Sequence, residues 1–174
     1  MEGQAFAQEQ VCTWRLAGIA GTRTDWEATP FDRKHELATP GVYAYWGRPP
    51  DSSLVSVYIG QSGAFIFRLS GHRKKRLWLK YAIAIYSRES PLDQSLLRVL
   101  EVGLIRKVWQ ARERVAVKCK TRVDNLPTSN ERFLGKERAA IAQKMLGVCC
   151  DLLGKLAIQV DRSDGEMIAA CFVG

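Results

Sequence analysis

Strict alternation of apolar and polar positions occurs twice in the middle of this chain and defines two strands. After Pro40 and Gly41, Val42, Ala44 and Trp46 alternate with Tyr43 and Tyr45, the period of a half-buried strand. Gly47, Pro49, Pro50, Asp51 and Ser52 make a long turn. Beyond it, Val55, Val57 and Ile59 alternate with Ser56 and Tyr58, so the second strand has its apolar face on odd positions. Both apolar faces must meet one core, which sets Val42 level with a member of the Val55, Val57, Ile59 set. Any such antiparallel register puts Tyr43 and Tyr58 together on the opposite face, outside the buried set. Pairing of Val42 with Ile59 sets the two tyrosines directly across from each other.

The pattern then changes period. Gly60 to Gly63 turns the strand into a helix with Ser62 at its N-cap, Phe65, Ile66 and Leu69 buried, and Arg68 and His72 four apart on a flanking face. The basic run Arg73, Lys74, Lys75 and Arg76 closes that helix. Leu77 to Tyr86 is apolar at nearly every position and predicts a third strand covered on both faces. Ser90 and Pro91 predict the start of a long helix, with Asp93 completing a capping box. Along it Leu97, Leu100, Leu104, Ile105 and Val108 form an apolar stripe that Glu101 interrupts. An uncompensated carboxylate there costs several kcal/mol, so either an arginine of the core or a metal ion is expected beside it.

Residues 111–134 read as a charged surface connection, and 135–153 return to helical periodicity. Leu156 to Val160 and Met167 to Val173, split by Asp164 and Gly165, predict a terminal hairpin. Residues 1–37 hold an apolar patch at Val11 to Ile19 followed by turn formers, with no assigned role. The fold class expected is α/β: a small three-stranded, mainly antiparallel sheet flanked by helices. One domain of 1–174 is expected, with a core of about 38–130, an N-terminal extension 1–37 and a C-terminal part 131–174.

Composition narrows the partners. The 26 Lys and Arg exceed the 18 Asp and Glu by enough to give a formal charge of +8, which favours a polyanion such as nucleic acid or an anionic membrane surface. No apolar run approaches the ~18 residues of a membrane span, and the polar, acidic stretch Met1 to Gln10 lacks the order of a secretory signal. An intracellular protein without membrane association is therefore expected. Cys12, Cys119, Cys149, Cys150 and Cys171 show neither zinc-site spacing nor an even set for disulfides.

Gly41-Val42-Tyr43, Tyr58-Ile59-Gly60, the helical Arg68 and a later helical Glu101 together resemble the GIY-YIG nuclease superfamily. The resemblance covers the middle of the chain and leaves both ends undetermined. It implies a metal-dependent endonuclease acting on DNA, RNA being compatible with the same chemistry, and a homodimer is compatible too. It implies that Tyr43 is the general base or an orienting group for the attacking water, and that Tyr58 holds the water or a phosphate oxygen. Arg68 would stabilise charge in the transition state, since a guanidinium fork suits two phosphate oxygens. His72 would donate a proton or pin the phosphate. Glu101 would bind one Mg²⁺ or Mn²⁺, the remaining coordination being water and phosphate. Pro127-Thr128-Ser129-Asn130 resembles a late Pro-x-x-Asn of the family, so Asn130, or Asn125 nearby, enters the site. The loop between the tyrosine motifs and the gap from Glu101 to Asn130 are both longer than the family pattern.

Chemistry gives the same residues physical roles. Phosphodiester hydrolysis needs an activated water, positive charge on the non-bridging oxygens and help for the departing oxygen. A free tyrosine, with a pKa near ~10, is a poor base at neutral pH unless a metal or nearby cations lower it. Each residue also has an ordinary structural reading: strand tyrosines pack, helical arginines are solvated and a histidine can cap a helix C-terminus. Arg73 to Arg76 is either a solvated face or a surface that tracks phosphates. Two rival functions are a non-catalytic nucleic-acid-binding domain of the same fold, which leaves Glu101 without a purpose, and a basic structural module.

Overall fold

The computed structural model describes residues 5–27, 38–65, 68, 71, 77–120 and 131–173. Within them the chain runs β1 (Ala5–Val11), β2 (Trp14–Thr22), α1 (Arg23–Glu27), β3 (Gly41–Gly47), β4 (Val55–Ser62), β5 (Tyr81–Ser87), α2 (Gln94–Ala111), β6 (Val117–Cys119), α3 (Glu131–Val160) and α4 (Arg162–Phe172). The three strands expected from the sequence lie side by side as β5-β3-β4, both pairings antiparallel. They form the middle of a larger sheet, in the order β1-β2-β5-β3-β4-β6.

The sheet is therefore six-stranded among the described residues, and the three-stranded expectation is corrected. Residues 5–22, which carried no assigned role, form an antiparallel hairpin whose β2 pairs along β5. Val117–Cys119, inside the expected surface connection, adds to β4 as a short parallel edge strand. β1 escaped detection because it is an edge strand with polar, exposed positions through Gln8, Glu9 and Gln10.

Alternation assigns the faces of β3 and β4 as expected, and β5 is covered on both faces, also as expected. Val42, Ala44, Trp46, Val55, Val57, Ile59, Ile83 and Ile85 point to one face, where α2, α3 and α4 bury them in the main core. Tyr43, Tyr45, Ala82, Ala84 and Tyr86 point to the other, into a second cluster with Ala17, Ile19, Trp26 and Phe65. Tyr43 is thus buried, at 3% exposure, so the expectation that neither tyrosine joins a buried set is corrected for Tyr43. A second apolar layer on that face replaces solvent. The register also differs from the pairing of Val42 with Ile59: Val42 faces Gln61, Ala44 faces Ile59 and Tyr45 faces Tyr58. The shift is by two residues, which preserves the faces.

Helix ends show where sequence signals competed. α2 starts at Gln94, not at Pro91, because the Asp93 side chain accepts from the main-chain N–H groups of Ser95 and Leu96 at 3.0 and 3.1 Å. The expected third strand begins only at Tyr81, and Leu77, its expected first residue, is 82% exposed. The helix expected over 135–153 spans Glu131–Val160, with Gly135 breaking it at a left-handed φ of 71°. The expected C-terminal hairpin is instead the end of α3 followed by α4. Leu152, Leu153, Leu156 and Ala157 have helical spacing and are buried, and Asp161 caps α4 by accepting from the Ser163 N–H at 3.2 Å.

Asp164-Gly165, read as a turn, sits inside α4. Gly165 permits a close crossing: a Cβ there would fall on the Ala157 carbonyl of α3. Nearby, the Arg48 guanidinium forms an ion pair with Asp164 at 2.7 Å, tying the chain after β3 to α4. No helix among the described residues is long and apolar enough to cross a membrane. Gly165→Ala should force the two helices apart and cost about 1–3 kcal/mol, read as a melting temperature lower by several degrees in circular dichroism. An unchanged melting temperature would show that the crossing has slack.

Candidate functional site

Tyr43 lies on the central strand, and its ring reaches across the neighbouring one. Its register partner on β4 is Gly60, where a Cβ would fall on the Tyr43 hydroxyl and ring. Gly60 is therefore a point of close approach, the role glycine alone fills on a strand. The tyrosine rings stack, with centroids 4.7 Å apart for Tyr43 and Tyr45 and 6.2 Å apart for Tyr43 and Tyr58. Phe65 packs on Tyr43 at 5.6 Å, and Trp26 meets Phe65 edge-on at 5.1 Å. These contacts fix the Tyr43 hydroxyl at the end of β4.

The strand ends there in a polar turn. Ser62, expected as a helix N-cap, instead shapes the turn: its hydroxyl donates to the Ala64 carbonyl at 2.9 Å and accepts from the Ala64 N–H at 3.1 Å. Just before it, Gln61 occupies the next odd position after Ile59 and so points to the helix-covered face. Glu101 arrives there from α2, and the Gln61 Nε2 donates to Glu101 Oε2 at 3.3 Å. Gln94, at the start of α2, donates through Nε2 to the Gln61 Oε1 at 2.9 Å.

Tyr43, Tyr58, Gln61, Ser62, Gly63, Arg68, Gln94 and Glu101 line one cavity of about 330 Å³. The tyrosines come from one face of the sheet and Glu101 from the helix on the other, and they meet around the end of β4. The structure thus brings together Tyr43, Tyr58, Arg68 and Glu101, all expected from the sequence. Arg68 is exposed at this cavity. His72, Asn130, its alternative Asn125, and the run Arg73, Lys74, Lys75 and Arg76 lie outside the described residues.

Electrostatics follow from burial. Burial raises the pKa of Tyr43 far above the ordinary phenol value, the Tyr58 hydroxyl adds to this, and the Arg68 charge opposes it without reversing it. Tyr43 therefore holds its proton at neutral pH in the metal-free protein. Burial also pushes the Glu101 carboxyl up, offset in part by the side-chain and main-chain donors of Gln61 and by the charges of Arg98 and Arg68. The hydrogen-bond donor found at Glu101 is thus an amide, and the two nearby arginines act through their field. Arg98 lies three residues before Glu101 on α2 and is exposed.

The donor set limits which metal suits the site. Among the described residues no three His, Cys, Asp or Glu side chains cluster to hold an ion, which disfavours a closed zinc site. One carboxylate beside a polar cavity suits Mg²⁺, which keeps most of its shell as water and phosphate. At ~30 Å³ per water the cavity has room for about ten. Glu101 is the residue that would hold the ion.

Gln61 and Gln94 were missed by sequence reasoning, though a signal existed. Gln61 is a polar residue at an apolar-face position of its strand, as Glu101 is on its helix, and two such misfits on facing stripes compensate each other. A scan against family models finds no match for this chain, and comparisons with curated proteins and with solved structures find none either.

Two outcomes follow. Gly60→Ala should displace the Tyr43 ring, changing the near-ultraviolet tyrosine circular dichroism; an unaltered spectrum would show that the ring does not depend on Gly60. The raised Glu101 pKa means that the folded state binds its proton more tightly than the unfolded state, so ionised Glu101 costs stability as pH rises through its folded pKa. Glu101→Gln should then melt higher than wild type at pH 7.5 in EDTA. That gap should close below the ordinary glutamate pKa of about 4.3, and a variant that melts lower than wild type at pH 7.5 would contradict the sign.

Proposed function

We propose that this protein is a GIY-YIG-type endonuclease that hydrolyses DNA phosphodiester bonds with a tyrosine-oriented water and one divalent metal ion. The observation that carries the reading is the shared cavity. Two strand tyrosines, an arginine and a half-buried carboxylate, drawn from separate parts of the chain, line it together. A basic chain with a formal charge of +8 suits a polyanionic substrate.

Each residue has a task set by its chemistry. Tyr43 is protonated and hydrogen-bonded to Tyr58, so it orients the attacking water through its oxygen, and Tyr58 holds the Tyr43 hydroxyl and a phosphate oxygen. Acting as the base would require added positive charge beside Tyr43 to reverse the upward shift. A divalent ion at Glu101 would supply that charge and Lewis-acid polarisation of the phosphate. Arg68, exposed at the cavity, grips the non-bridging oxygens and opposes their growing charge. The roles of His72, which would donate a proton or pin the phosphate, of Asn130 or Asn125, and of Arg73 to Arg76, which would track the adjoining backbone, rest on the sequence resemblance.

Nicking of supercoiled plasmid in Mg²⁺ tests this reading. Arg68→Ala and Glu101→Ala should each slow nicking by ~10²-fold or more while remaining folded by circular dichroism. Folded variants that nick at the wild-type rate would refute the assignment. Wild-type protein that binds DNA in a salt-dependent way but never cuts it, across several divalent metals, would support the non-catalytic binding domain instead.

A further inference from the structure

We propose that Gln61 is a positioning residue that orients the Glu101 carboxylate for metal binding, and that Gln94 sets which end of the Gln61 amide faces it. The inference rests on the reading of Glu101 as the metal ligand. It is carried by a continuous chain of hydrogen bonds, Gln94 Nε2 to Gln61 Oε1 at 2.9 Å and Gln61 Nε2 to Glu101 Oε2 at 3.3 Å.

The direction of that chain follows from chemistry. An ionised carboxylate only accepts hydrogen bonds, so the end of Gln61 turned to Glu101 must be its NH₂. The Gln61 carbonyl is then left for a donor, and the Gln94 amide supplies one. The Gln61 side chain therefore grips the carboxylate through one of its oxygens, Oε2. A carboxylate has about four acceptor sites, so this grip orients Glu101 without exhausting it. Gln61 and Gln94 both line the cavity beside it. Partners of this kind commonly change metal affinity by about 10–100-fold when removed.

Placement explains why these amides are available. Gln61 is the last core-facing position of β4, held in register against Val42 of the central strand. Gln94 is the first residue of α2, and Glu101 lies two turns further along the same helix face. The spacing of one strand end and one helix start therefore sets the geometry of the carboxylate.

Substitution at Gln94 separates this relay from simple charge effects, because the two predict opposite signs. In Gln94→Glu the new carboxylate accepts from the Gln61 NH₂ and turns the Gln61 carbonyl towards Glu101. In Gln94→Lys the ammonium donates to the Gln61 carbonyl and keeps the native direction. The probe is Mn²⁺ alone, its free fraction read by electron paramagnetic resonance against the full-length protein. The relay predicts that Gln61→Leu and Gln94→Glu each weaken Mn²⁺ binding by about tenfold, and that Gln94→Lys stays within about twofold of wild type. Tighter binding by Gln94→Glu together with weaker binding by Gln94→Lys would overturn the relay, as would unchanged binding by Gln94→Glu. If Gln61→Leu fails to fold, the two Gln94 variants, altered at an exposed position, decide the matter. Wild-type protein that binds no Mn²⁺ at millimolar concentration would refute the reading of Glu101 as a metal ligand and the relay with it.

Discussion

β3 is hydrogen-bonded on both sides, to β4 and to β5, and that double pairing constrains everything around it. A strand in this position cannot slide or rotate without breaking two ladders, so each side chain is committed to one face. Val42, Ala44 and Trp46 go to the helices, and Tyr43 and Tyr45 go to the aromatic layer. Aromatic side chains bury roughly 150–250 Å² each, worth several kcal/mol at ~25 cal/mol per Å². The second layer is thus a real core, and Tyr43 is fixed within it by the same packing that stabilises the sheet. Its hydroxyl reaches the end of β4 because Gly60 offers no side chain in the way.

The site forms where the two faces become continuous. β4 stops at Ser62, the turn carries the chain away, and polar groups from opposite faces of the sheet meet around its end. One of them is held in a costly state: burial raises the Glu101 pKa where the residue interrupts the apolar stripe of α2, and the charges of Arg98 and Arg68 oppose that rise. Tyr43, protonated at the edge of the apolar layer, carries no charge to compensate. A cation bound beside Glu101 would offset the cost that burial places on its ionised form.

The centre of the fold was legible in the sequence because periodicity reports directly on burial. Val42, Ala44 and Trp46 against Tyr43 and Tyr45 placed β3 and its two faces, and the misplaced polarity of Glu101 pointed to the site. Elements outside that region were harder for separate reasons. β1 is an edge strand whose polar positions erase alternation, and β6 is too short to show a period. The Asp164-Gly165 pair carries a strong local turn signal, yet tertiary packing of α4 on α3 overrides it, with the glycine used for a close crossing. Burial of Tyr43 was invisible because the second layer draws on Ala17, Ile19 and Trp26, far away in the chain. Gln61 and Gln94 were overlooked because an amide on a strand end or a helix start is unremarkable until its partner is known.

What joins these elements is that one divalent ion should bind beside Glu101, within reach of the Tyr43 and Tyr58 hydroxyls and of Arg68. Anomalous diffraction from crystals of the full-length protein grown with a short DNA duplex and soaked in Mn²⁺ addresses this directly. One anomalous peak in contact with a Glu101 oxygen and a phosphate oxygen is the expected result. Fully occupied Mn²⁺ elsewhere, with Glu101 remote from both metal and DNA, would contradict it.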